Sequence, residues 1–516
     1  MQRRLSEIWT EELAERVGFI GKLGPNDPLI TSLEYDSRSV QQGSLFFALP
    51  GLHADGHDFI EHAVERGASI VVYQSTPPFR DPNVLYIRVA DSRFAMSAIS
   101  ASFYDNPSKK LFVVGVTGTE GKSTVVYLIY QLLRLAKKRA GFISTVQYAV
   151  DGKEHNNPEH QTTPEAPVIH KYLSAMVEWR ADFAVIEASS HGLSPLTNRL
   201  GDIDFDVAVM TNVRHEHLEF HGTWEQYRDD KANLFRAINH SKRLPSFAVV
   251  NADDPSADYF AKATEKRTFS FSLKPGSANL CLQSIESRAD GNDCILKERY
   301  WHELYSVCDK LPGAFNAGNV MASLIVASFL TKKAVVDLLR FVPQLRPVRG
   351  RMTAVDKGQP FEVVVDYAHT PSSFEAVLPP LRKRIDDKGT RIISLFGSAG
   401  ERDTKKRKLM GAVAARWSDL IVLTDEDPRG EDPMAILEEI ALGVQGGKRG
   451  EDLFLIPDRP QAIRKAFALA RPGDLVLLLG KGHENSIIYS RGDKKTIPYD
   501  EISEAEKALE ELKGNG

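Results

Sequence analysis

The stretch 111–124, LFVVGVTGTEGKST, constrains this chain more than any other part of it. An apolar, β-branched run predicts a buried strand, and the residues VVYLIYQLLRLAKK that follow predict a helix. Glycines between them let backbone N–H groups approach phosphate oxygens, while Lys122 supplies a positive charge and Ser123 a hydroxyl for Mg²⁺. The order of strand, glycine-rich loop and helix therefore predicts a site for a nucleoside triphosphate.

Composition narrows the class of protein. A chain of 516 residues is long enough for about three domains, and 42% hydrophobic with 26% charged residues is typical of a soluble globular protein. A net charge of −4 argues against a general nucleic-acid binder, and the longest apolar runs are too short to cross a membrane. Three cysteines fit neither a disulfide framework nor a zinc site. With no signal-peptide pattern at the start, these features predict a cytoplasmic enzyme.

The chain divides into three α/β segments, predicted at 1–107, 108–345 and 346–516. The first ends in a helix that Pro107 closes, and the other two alternate strand-like and helix-like runs, which indicates mostly parallel sheets covered by helices. A last helix, Glu501–Lys513, has an apolar stripe that ends at Leu512. The other predicted strands are Ser44–Leu49, Ser69–Tyr73, Phe183–Glu187, Val207–Thr211, Phe247–Asn251, Glu362–Tyr367, Arg391–Phe396, Leu420–Thr424 and Leu475–Leu479.

Polar residues of the second segment collect after its strands. Glu187 ends one strand, where it is either a cation ligand or an exposed acid. Lys231 lies in the helix-like run YRDDKANLF, where by itself it could form a surface ion pair. After the strand at 207–211 a dense group indicates a metal or phosphate site, or else a solvated loop; it comprises His215, Glu216, His217, Glu219 and His221.

The third segment repeats this arrangement. Asp366 ends a strand, where an acid can accept hydrogen bonds from ribose hydroxyls. The run GSAGERDTKKRK is either a binding loop or a solvated basic face, and the loops 426–429 and 480–484 follow two further strands. Four such loops at the carboxyl ends of strands predict a ligand site along one edge of the sheet.

In this order the motifs closely resemble those of the Mur ligase family, specifically its enzymes that add the third residue of the peptidoglycan stem peptide. The resemblance covers nearly the whole chain and rests on DSRSV, GSLFFALPG, GVTGTEGKST, HQTTPE, EASSHGL, TNVRHEHLEFHG, DDKANLF, GAFNAGN, RGRM, DYAHTP, GERDTKKR, EDPRGEDP and GKGHE.

The resemblance implies a three-domain α/β fold: a UDP-substrate domain, a central P-loop ATPase domain and a Rossmann-like C-terminal domain. It implies an ATP-dependent, amide-bond-forming ligase that works through an acyl phosphate. Its partners would be UDP-N-acetylmuramoyl-L-alanyl-D-glutamate and a diamino acid, with ATP and two Mg²⁺ sites. The protein would be a cytoplasmic monomer that binds neither nucleic acid nor membrane.

Site residues are implied one by one. Lys122, Glu187, His217 and Lys231 would be catalytic, and Ser123, Glu187, His217 and a carbamylated Lys231 would ligate Mg²⁺. A carbamate is needed because an ammonium offers no oxygen ligand. ATP would contact Gly118, Thr119, Glu120, Gly121, Lys122, Ser123, Thr124, Asn316, Arg351 and Asp366. The UDP substrate would contact Ser37, Thr162, Thr163, Ser189 and Arg199, and the amino acid would contact Arg402, Glu426, Asp427, Pro428, Arg429, Gly480 and Glu484.

The amino-acid loop departs from the family's diaminopimelate signature, Asp-Asn-Pro-Arg, and reads Glu-Asp-Pro-Arg here. Arg429 suits a second carboxylate, as diaminopimelate has, whereas Asp427 suits the side-chain ammonium of lysine or ornithine. We favour diaminopimelate and leave the other two open. A ligase similar to folylpolyglutamate synthetase is a further alternative, against which the N-terminal segment argues. The set of Glu187, His217 and Lys231 argues against a simple ATPase or kinase. The presence of Lys122 and Lys231 argues against a silent scaffold.

Overall fold

The computed structural model describes residues 1–21, 26–51, 54–76, 79–158, 161–214, 218–288, 291–299, 303–386, 389–490 and 496–514. The chain forms two compact units. The first unit consists of Met1–Ser272, Gly276–Leu280 and Met321–Leu338, and the second of Leu273–Pro275, Cys281–Val320 and Leu339–Gly516.

A four-stranded parallel sheet begins the first unit. Its strands lie in the order Ser32–Glu34, Ser44–Phe47, Ala68–Tyr73 and Leu85–Arg88, and Arg3–Arg4 pairs separately with Leu29–Ile30. Asp91 caps the longest helix here by accepting the N–H groups of Arg93 and Phe94. The helices are Leu5–Ile8, Glu11–Arg16, Ile60–Glu65 and Ser92–Phe103, with 3₁₀ turns at Ser37–Ser39, Gly56–Phe59 and Pro107–Lys110.

A larger sheet carries the phosphate loop. From one edge its strands in this unit are His155–Asn156, Gln147–Ala149, Ala140–Ile143, Phe183–Glu187, Phe112–Thr117, Val207–Met210, Phe247–Asn251 and Arg267–Ser272. The last six are parallel, and their carboxyl ends therefore share one edge of the sheet. The surrounding helices are Lys122–Leu135, Ala166–Glu178, Ser190–Leu193, Leu218–His221, Trp224–Ala237 and Ala257–Lys262, with a 3₁₀ turn at Ile238–His240.

The second unit contains another mostly parallel sheet, in the order Thr353–Ala354, Glu362–Asp366, Leu475–Leu479, Ile392–Phe396, Leu420–Leu423 and Leu453–Leu455. Side chains alternate between its two faces, so that Val364 and Leu477 belong to one apolar cluster and Val363 and Val476 to another. Its helices are Pro371–Asp386, Lys405–Trp417, Pro433–Ala441, Arg459–Leu469 and Glu501–Gly514.

Further strands complete the second unit, two pairs of which are antiparallel. Leu280–Arg288 begins at the boundary with the first unit, Gly291–Glu298 pairs with Leu304–Asp309, and Ser486–Ile487 pairs with Ile497–Pro498. Along the chain the helices Asn316–Thr331 and Val335–Leu339 cross from one unit to the other, and a 3₁₀ turn follows at Val342–Gln344.

The predicted strands are confirmed, with ends displaced by no more than two residues. The predicted apolar stripe of the last helix is confirmed at its buried positions but is wrong at Leu512, which is 38% exposed because the stripe has run past the edge of the core. Cys281, Cys294 and Cys308 are free, as predicted. Within the described ranges, no helix combines the length and apolarity needed to cross a membrane.

Candidate active site

The phosphate loop has a conformation that requires glycine at its start. Gly118 has φ +148°, and a Cβ there would lie 1.9 Å from Oγ1 of Thr211. Gly121, with φ +80°, turns the chain into the helix that begins at Lys122. The backbone N–H groups at this helix start are donors for an anion. The loop therefore has the shape and the donors that a phosphate needs.

The segment after strand Val207–Met210 holds this loop in place. Asn212 accepts the N–H of Thr119 at 2.8 Å through its carbonyl and that of Glu120 at 3.0 Å through its side chain. In return, Thr211 donates its hydroxyl to the Glu120 carbonyl at 2.6 Å. The Lys122 ammonium donates to the Thr119 carbonyl at 2.7 Å, which uses one of its three donors. Ser123, at the start of the helix, is buried.

Glu187 and Lys231 are both buried at this edge of the sheet. Glu187 is 2% exposed and accepts the N–H of Thr145 at 2.9 Å. Lys231 is 1% exposed, donates to the Gly118 carbonyl at 2.7 Å and lies 4.4 Å from the ring centre of Tyr227. The alternatives of an exposed acid and a surface ion pair are therefore wrong. The fold turns both side chains inward, and Lys231 contacts the phosphate loop.

The histidine-rich group is only partly described. His215, Glu216 and His217 lie outside the described residues, so the role of His217 stays a prediction. His221 is not a candidate metal ligand, because its Nδ1 lies 2.7 Å from Asp230 and its Nε2 lies 3.0 Å from Ser190. In the part of the chain that is described, no three His, Cys, Asp or Glu side chains could together hold a metal.

Three of the residues predicted to bind the UDP substrate lie together. The Thr163 hydroxyl is 2.9 Å from the Ser189 hydroxyl and donates to the Glu187 carbonyl at 3.1 Å. Arg199 donates to the Thr163 carbonyl at 2.8 Å and pairs with Glu165 at 2.8 Å. These contacts link the substrate residues directly to the strand that carries Glu187. Thr162 precedes this group in the chain and is half-buried.

Ser37 lies in the N-terminal sheet region, on the 3₁₀ turn Ser37–Ser39. It is buried, and its hydroxyl is 3.0 Å from Nδ1 of His62.

The predicted ribose residue Asp366 also organises its own loop. Its two carboxylate oxygens accept the N–H groups of Met352 at 2.7 Å and Ala368 at 2.8 Å. Burial raises the pKa of Asp366, and the nearby Arg351 guanidinium opposes that shift. The guanidinium of Arg351 lies 4.5 Å from the ring centre of Tyr367. Each carboxylate oxygen has a second lone pair, so Asp366 can still accept a hydroxyl.

Asn316 is buried at the start of its helix. It donates to the Pro312 carbonyl at 2.7 Å and accepts from Asn319 at 2.8 Å. Its predicted contact with adenine stays a prediction.

The sequence interpretation missed Lys481. This ammonium is fully buried and donates to Asp427 at 2.8 Å and to Glu484 at 2.5 Å. Tyr367 donates to the other oxygen of Glu484 at 3.1 Å. Lys481 stands between Gly480 and Gly482 in the motif that supplied Glu484, but nothing in the spacing shows that it is buried. Two of the predicted amino-acid ligands are thus tied to one cation.

Arg429 and Glu426 differ from Asp427 in their hydrogen bonding. The Nε of Arg429 and the Oε2 of Glu426 are buried and have no hydrogen-bond partner among the described residues. Glu431, the acid two residues after Arg429, accepts from Arg407. This loop therefore keeps one donor and one acceptor for a ligand.

The fold exposes one arginine of the basic run 402–408 and buries another. Arg402 is exposed, which is compatible with a solvated basic face. Arg407 is 1% exposed and bonds to Glu431 and Glu439, so the solvated-face interpretation is wrong for that residue. Pro428 lies within the amino-acid loop, and Gly480, which begins the loop 480–484, has φ +102°.

The geometry defines a nucleotide-binding α/β enzyme with a phosphate loop and a second, Rossmann-like sheet. Three family descriptions match the chain: "Mur ligase family, catalytic domain" over residues 29–104, "Mur ligase middle domain" over 116–327 and "Mur ligase, glutamate ligase domain" over 350–482. The chain belongs to the Mur ligase family. The predicted family, fold and ligase class are confirmed.

Curated relatives match over nearly the full chain. The UDP-N-acetylmuramyl-tripeptide synthetase of Treponema denticola is 47% identical, over 97% of this chain and 98% of that protein. The UDP-N-acetylmuramoyl-L-alanyl-D-glutamate–2,6-diaminopimelate ligase of Geobacillus thermodenitrificans is 38% identical, over 97% and 98%.

Solved structures show the same fold. A UDP-N-acetylmuramoyl-L-alanyl-D-glutamate–2,6-diaminopimelate ligase matches with a TM-score of 0.62 and 29% identity, over 94% of this chain and 95% of that one. The MurF ligase of Thermotoga maritima in complex with ADP matches with a TM-score of 0.62 and 19% identity, over 94% and 98%.

Proposed function

We propose that this protein uses ATP to join a diamino acid to UDP-N-acetylmuramoyl-L-alanyl-D-glutamate. The observation that carries the proposal is the buried contact of Lys231 with the phosphate loop, at 2.7 Å from the Gly118 carbonyl, together with the burial of Glu187 at the carboxyl end of its strand. A simple ATPase needs neither the buried Lys231 nor the buried Glu187. Relatives named as tripeptide synthetases support the same reaction.

The chemistry activates a poor electrophile. A carboxylate oxygen of the substrate forms a bond to the γ-phosphorus of ATP, and the bond to the ADP oxygen breaks. The amine of the incoming amino acid then attacks the acyl carbon and loses a proton, and the C–O bond to phosphate breaks. Lys122 and the N–H groups at the helix start stabilise charge on the transferring phosphoryl group.

Oxygen ligands at this edge of the sheet fit a hard cation. Ser123 offers a hydroxyl and Glu187 a carboxylate, and both are buried. A carbamate on Lys231 would add two oxygen acceptors where the lysine has only donors. Together with His217, these residues would hold two Mg²⁺ ions, which would neutralise phosphate charge when bound. The protein's own contribution is to keep these ligands desolvated and fixed around the phosphate loop.

The unpaired groups of the amino-acid loop fit a zwitterion. Arg429 retains a buried donor for a carboxylate, and Glu426 retains a buried acceptor for an ammonium. Asp427 is already paired with Lys481, which weakens it as a ligand for the side-chain ammonium of lysine or ornithine. This supports diaminopimelate as the substrate. A monomeric, cytoplasmic protein that binds neither nucleic acid nor membrane completes the proposal.

The test is a ligation assay with purified protein, ATP, Mg²⁺ and UDP-N-acetylmuramoyl-L-alanyl-D-glutamate. Diaminopimelate, lysine and ornithine are supplied separately, and products are identified by mass. We expect a tripeptide product with diaminopimelate, and none with Lys122→Ala. In a parallel reaction, a folate and glutamate replace the UDP substrate and the diamino acids, and transfer of glutamate there would favour the folylpolyglutamate alternative.

The choice of amino acid is tested by comparing kcat/KM for the three substrates in wild type and Arg429→Ala. The variant should lose most of the preference for diaminopimelate, because its second carboxylate loses a partner. A wild-type preference for lysine or ornithine that Arg429→Ala leaves unchanged contradicts this part of the proposal only.

A further inference from the structure

His221 forms a buried hydrogen-bonded chain with Asp230 and Ser190. The His221 and Asp230 side chains are 0% and 2% exposed, with Nδ1 2.7 Å from the Asp230 carboxylate. On the other side of the ring, Nε2 lies 3.0 Å from the Ser190 hydroxyl. The second oxygen of Asp230 accepts from the Gln226 side chain at 2.9 Å. All three side chains are buried from solvent, so they do not act as a nucleophilic triad.

The direction of each hydrogen bond follows from the groups involved. A carboxylate only accepts, so Nδ1–H of His221 donates to Asp230. A neutral imidazole then has its acceptor at Nε2, to which the Ser190 hydroxyl can donate. Histidine is thus suited to this place, because one side chain must donate to one segment and accept from another. An apolar residue of similar size would leave Asp230 and Ser190 buried with lost partners, which is costly.

Each end of this hydrogen-bonded series, Asp230 and Ser190, lies next to a predicted site residue. Asp230 directly precedes Lys231 on the helix Trp224–Ala237. Ser190 directly follows Ser189 and lies three residues after Glu187, which ends its strand. The hydrogen-bonded series therefore links the helix that carries Lys231 to the segment that carries Ser189 and Glu187.

A third connection leads to the phosphate loop. The His221 ring packs edge-on against Tyr227, with ring centres 5.2 Å apart and planes at 68°. The Tyr227 hydroxyl is 3.0 Å from that of Thr119, and its ring lies 4.4 Å from the Lys231 ammonium. His221 is thus connected to the phosphate loop, to Lys231 and to Ser189. The residues between them are Tyr227, Asp230 and Ser190, respectively.

We propose that His221 is a positioning residue that holds these three segments in register for acyl transfer. The inference rests on the proposed ligase function, since it assigns His221 no contact with substrate. Reacting groups must meet within a few tenths of an ångström, and a displacement of about 1 Å can cost about 100-fold in rate. His221, itself buried, thereby holds the helix that carries Lys231 against the segment that follows Glu187.

The experiment compares His221→Leu, His221→Asn and Ser190→Ala with wild type in the ligation assay. We expect His221→Leu to lower kcat by about 100-fold with unchanged KM values, since only the aligned transition state is lost. His221→Asn keeps a donor for Asp230 and should recover part of kcat. Combining Ser190→Ala with His221→Leu should lose no more than His221→Leu alone, because Ser190 acts through His221.

The matched control is His170→Leu. His170 is also fully buried in the first unit, but its ring nitrogens have no hydrogen-bond partner among the described residues, and we expect wild-type kcat at pH 7.5. Fluorescent-nucleotide titration counts the folded sites of every variant. A His221→Leu kcat near wild type, or a loss that merely follows lost nucleotide sites, overturns the inference. Absence of ligation by the wild type would instead overturn the proposed function.

Discussion

Lys231 and His170 are both buried, but they differ in their hydrogen bonding. Lys231 donates to the phosphate loop, whereas neither ring nitrogen of His170 has a hydrogen-bond partner among the described residues. Burial of a titratable group favours its neutral form. The proposed carbamate on Lys231 would bring oxygen ligands to the phosphate loop, whereas burial of His170 makes stability depend on pH. Each consequence gives a prediction at the scale of one residue.

We predict that Lys231→Ala is nearly inactive in ligation and that short-chain carboxylates restore part of the rate. A carboxylate can occupy the space of the missing carbamate and supply oxygen ligands. Lys231→Arg is the control, because it keeps the charge but cannot form the carbamate. Activity of Lys231→Arg close to wild type, without added carboxylate, would count decisively against carbamylation.

We predict that His170 makes the protein less stable in mild acid. Burial lowers the pKa of His170 to about 3 from the usual 6.5. The unfolded chain therefore binds a proton below pH 6.5 that the folded protein does not bind until about pH 3, so the free energy of unfolding falls as pH drops between these values. From pH 6.5 to pH 5 this amounts to about 2 kcal/mol.

His170→Leu should remove that part of the pH dependence. Denaturant titrations of wild type and variant at several pH values give the comparison, provided that each transition is two-state. Parallel pH profiles for the two proteins would show that His170 contributes nothing to it.

At the scale of elements, the docking of the last helix depends on one buried ion pair. Arg459, on helix Arg459–Leu469, bonds to Glu501 at the start of helix Glu501–Gly514 at 2.6 Å, and both side chains are 0% exposed. The same guanidinium donates to the carbonyls of Asp425 and Leu479. It thus connects two helices to two strand ends of the sheet.

We predict that Arg459→Met costs about 3–5 kcal/mol in the free energy of unfolding, because it leaves the buried Glu501 carboxylate without its cation, with the Tyr499 hydroxyl still donating to it. The control is Arg464→Met on the same helix, whose pairs with Glu504 and Glu511 are partly exposed and are worth at most about 1 kcal/mol each. Denaturant titration compares the two. Equal losses would show that burial of the first pair is not the cause.

For the whole molecule, the question is which parts can fold alone. Both apolar clusters of the second sheet lie within residues 352–509, inside the third predicted segment. A segment with its own complete core is expected to fold independently.

We therefore predict that a fragment of residues 346–516 unfolds cooperatively when heated, as followed by circular dichroism. The matched fragment 346–500 lacks the last helix, and with it Ala505 and Leu509 from the core and Glu501 from the buried ion pair. It should show no such transition. Cooperative unfolding of the shorter fragment, or none in the longer one, would refute the prediction.

The sequence predicted the strands and the phosphate loop because their signals are local. A strand is read from its own apolar run, and the glycines before Lys122 are needed for their own backbone conformation. The burial of Lys481 could not be predicted, because its partner Asp427 is 54 residues away in the sequence. Arg407 was grouped with solvated neighbours for the same reason: only packing places it against Glu431 and Glu439.

By itself, the sequence determined the family, the kind of fold and the identity of the phosphate loop, since ordered motifs and periodic apolar residues are properties of the chain. Tertiary structure alone decided which charged side chains are buried and with whom they pair. His221 is one histidine among several in its motif, and only the fold places it between Asp230 and Ser190. The physical reason is that the cost of burying a polar group is set by partners that arrive from other parts of the chain.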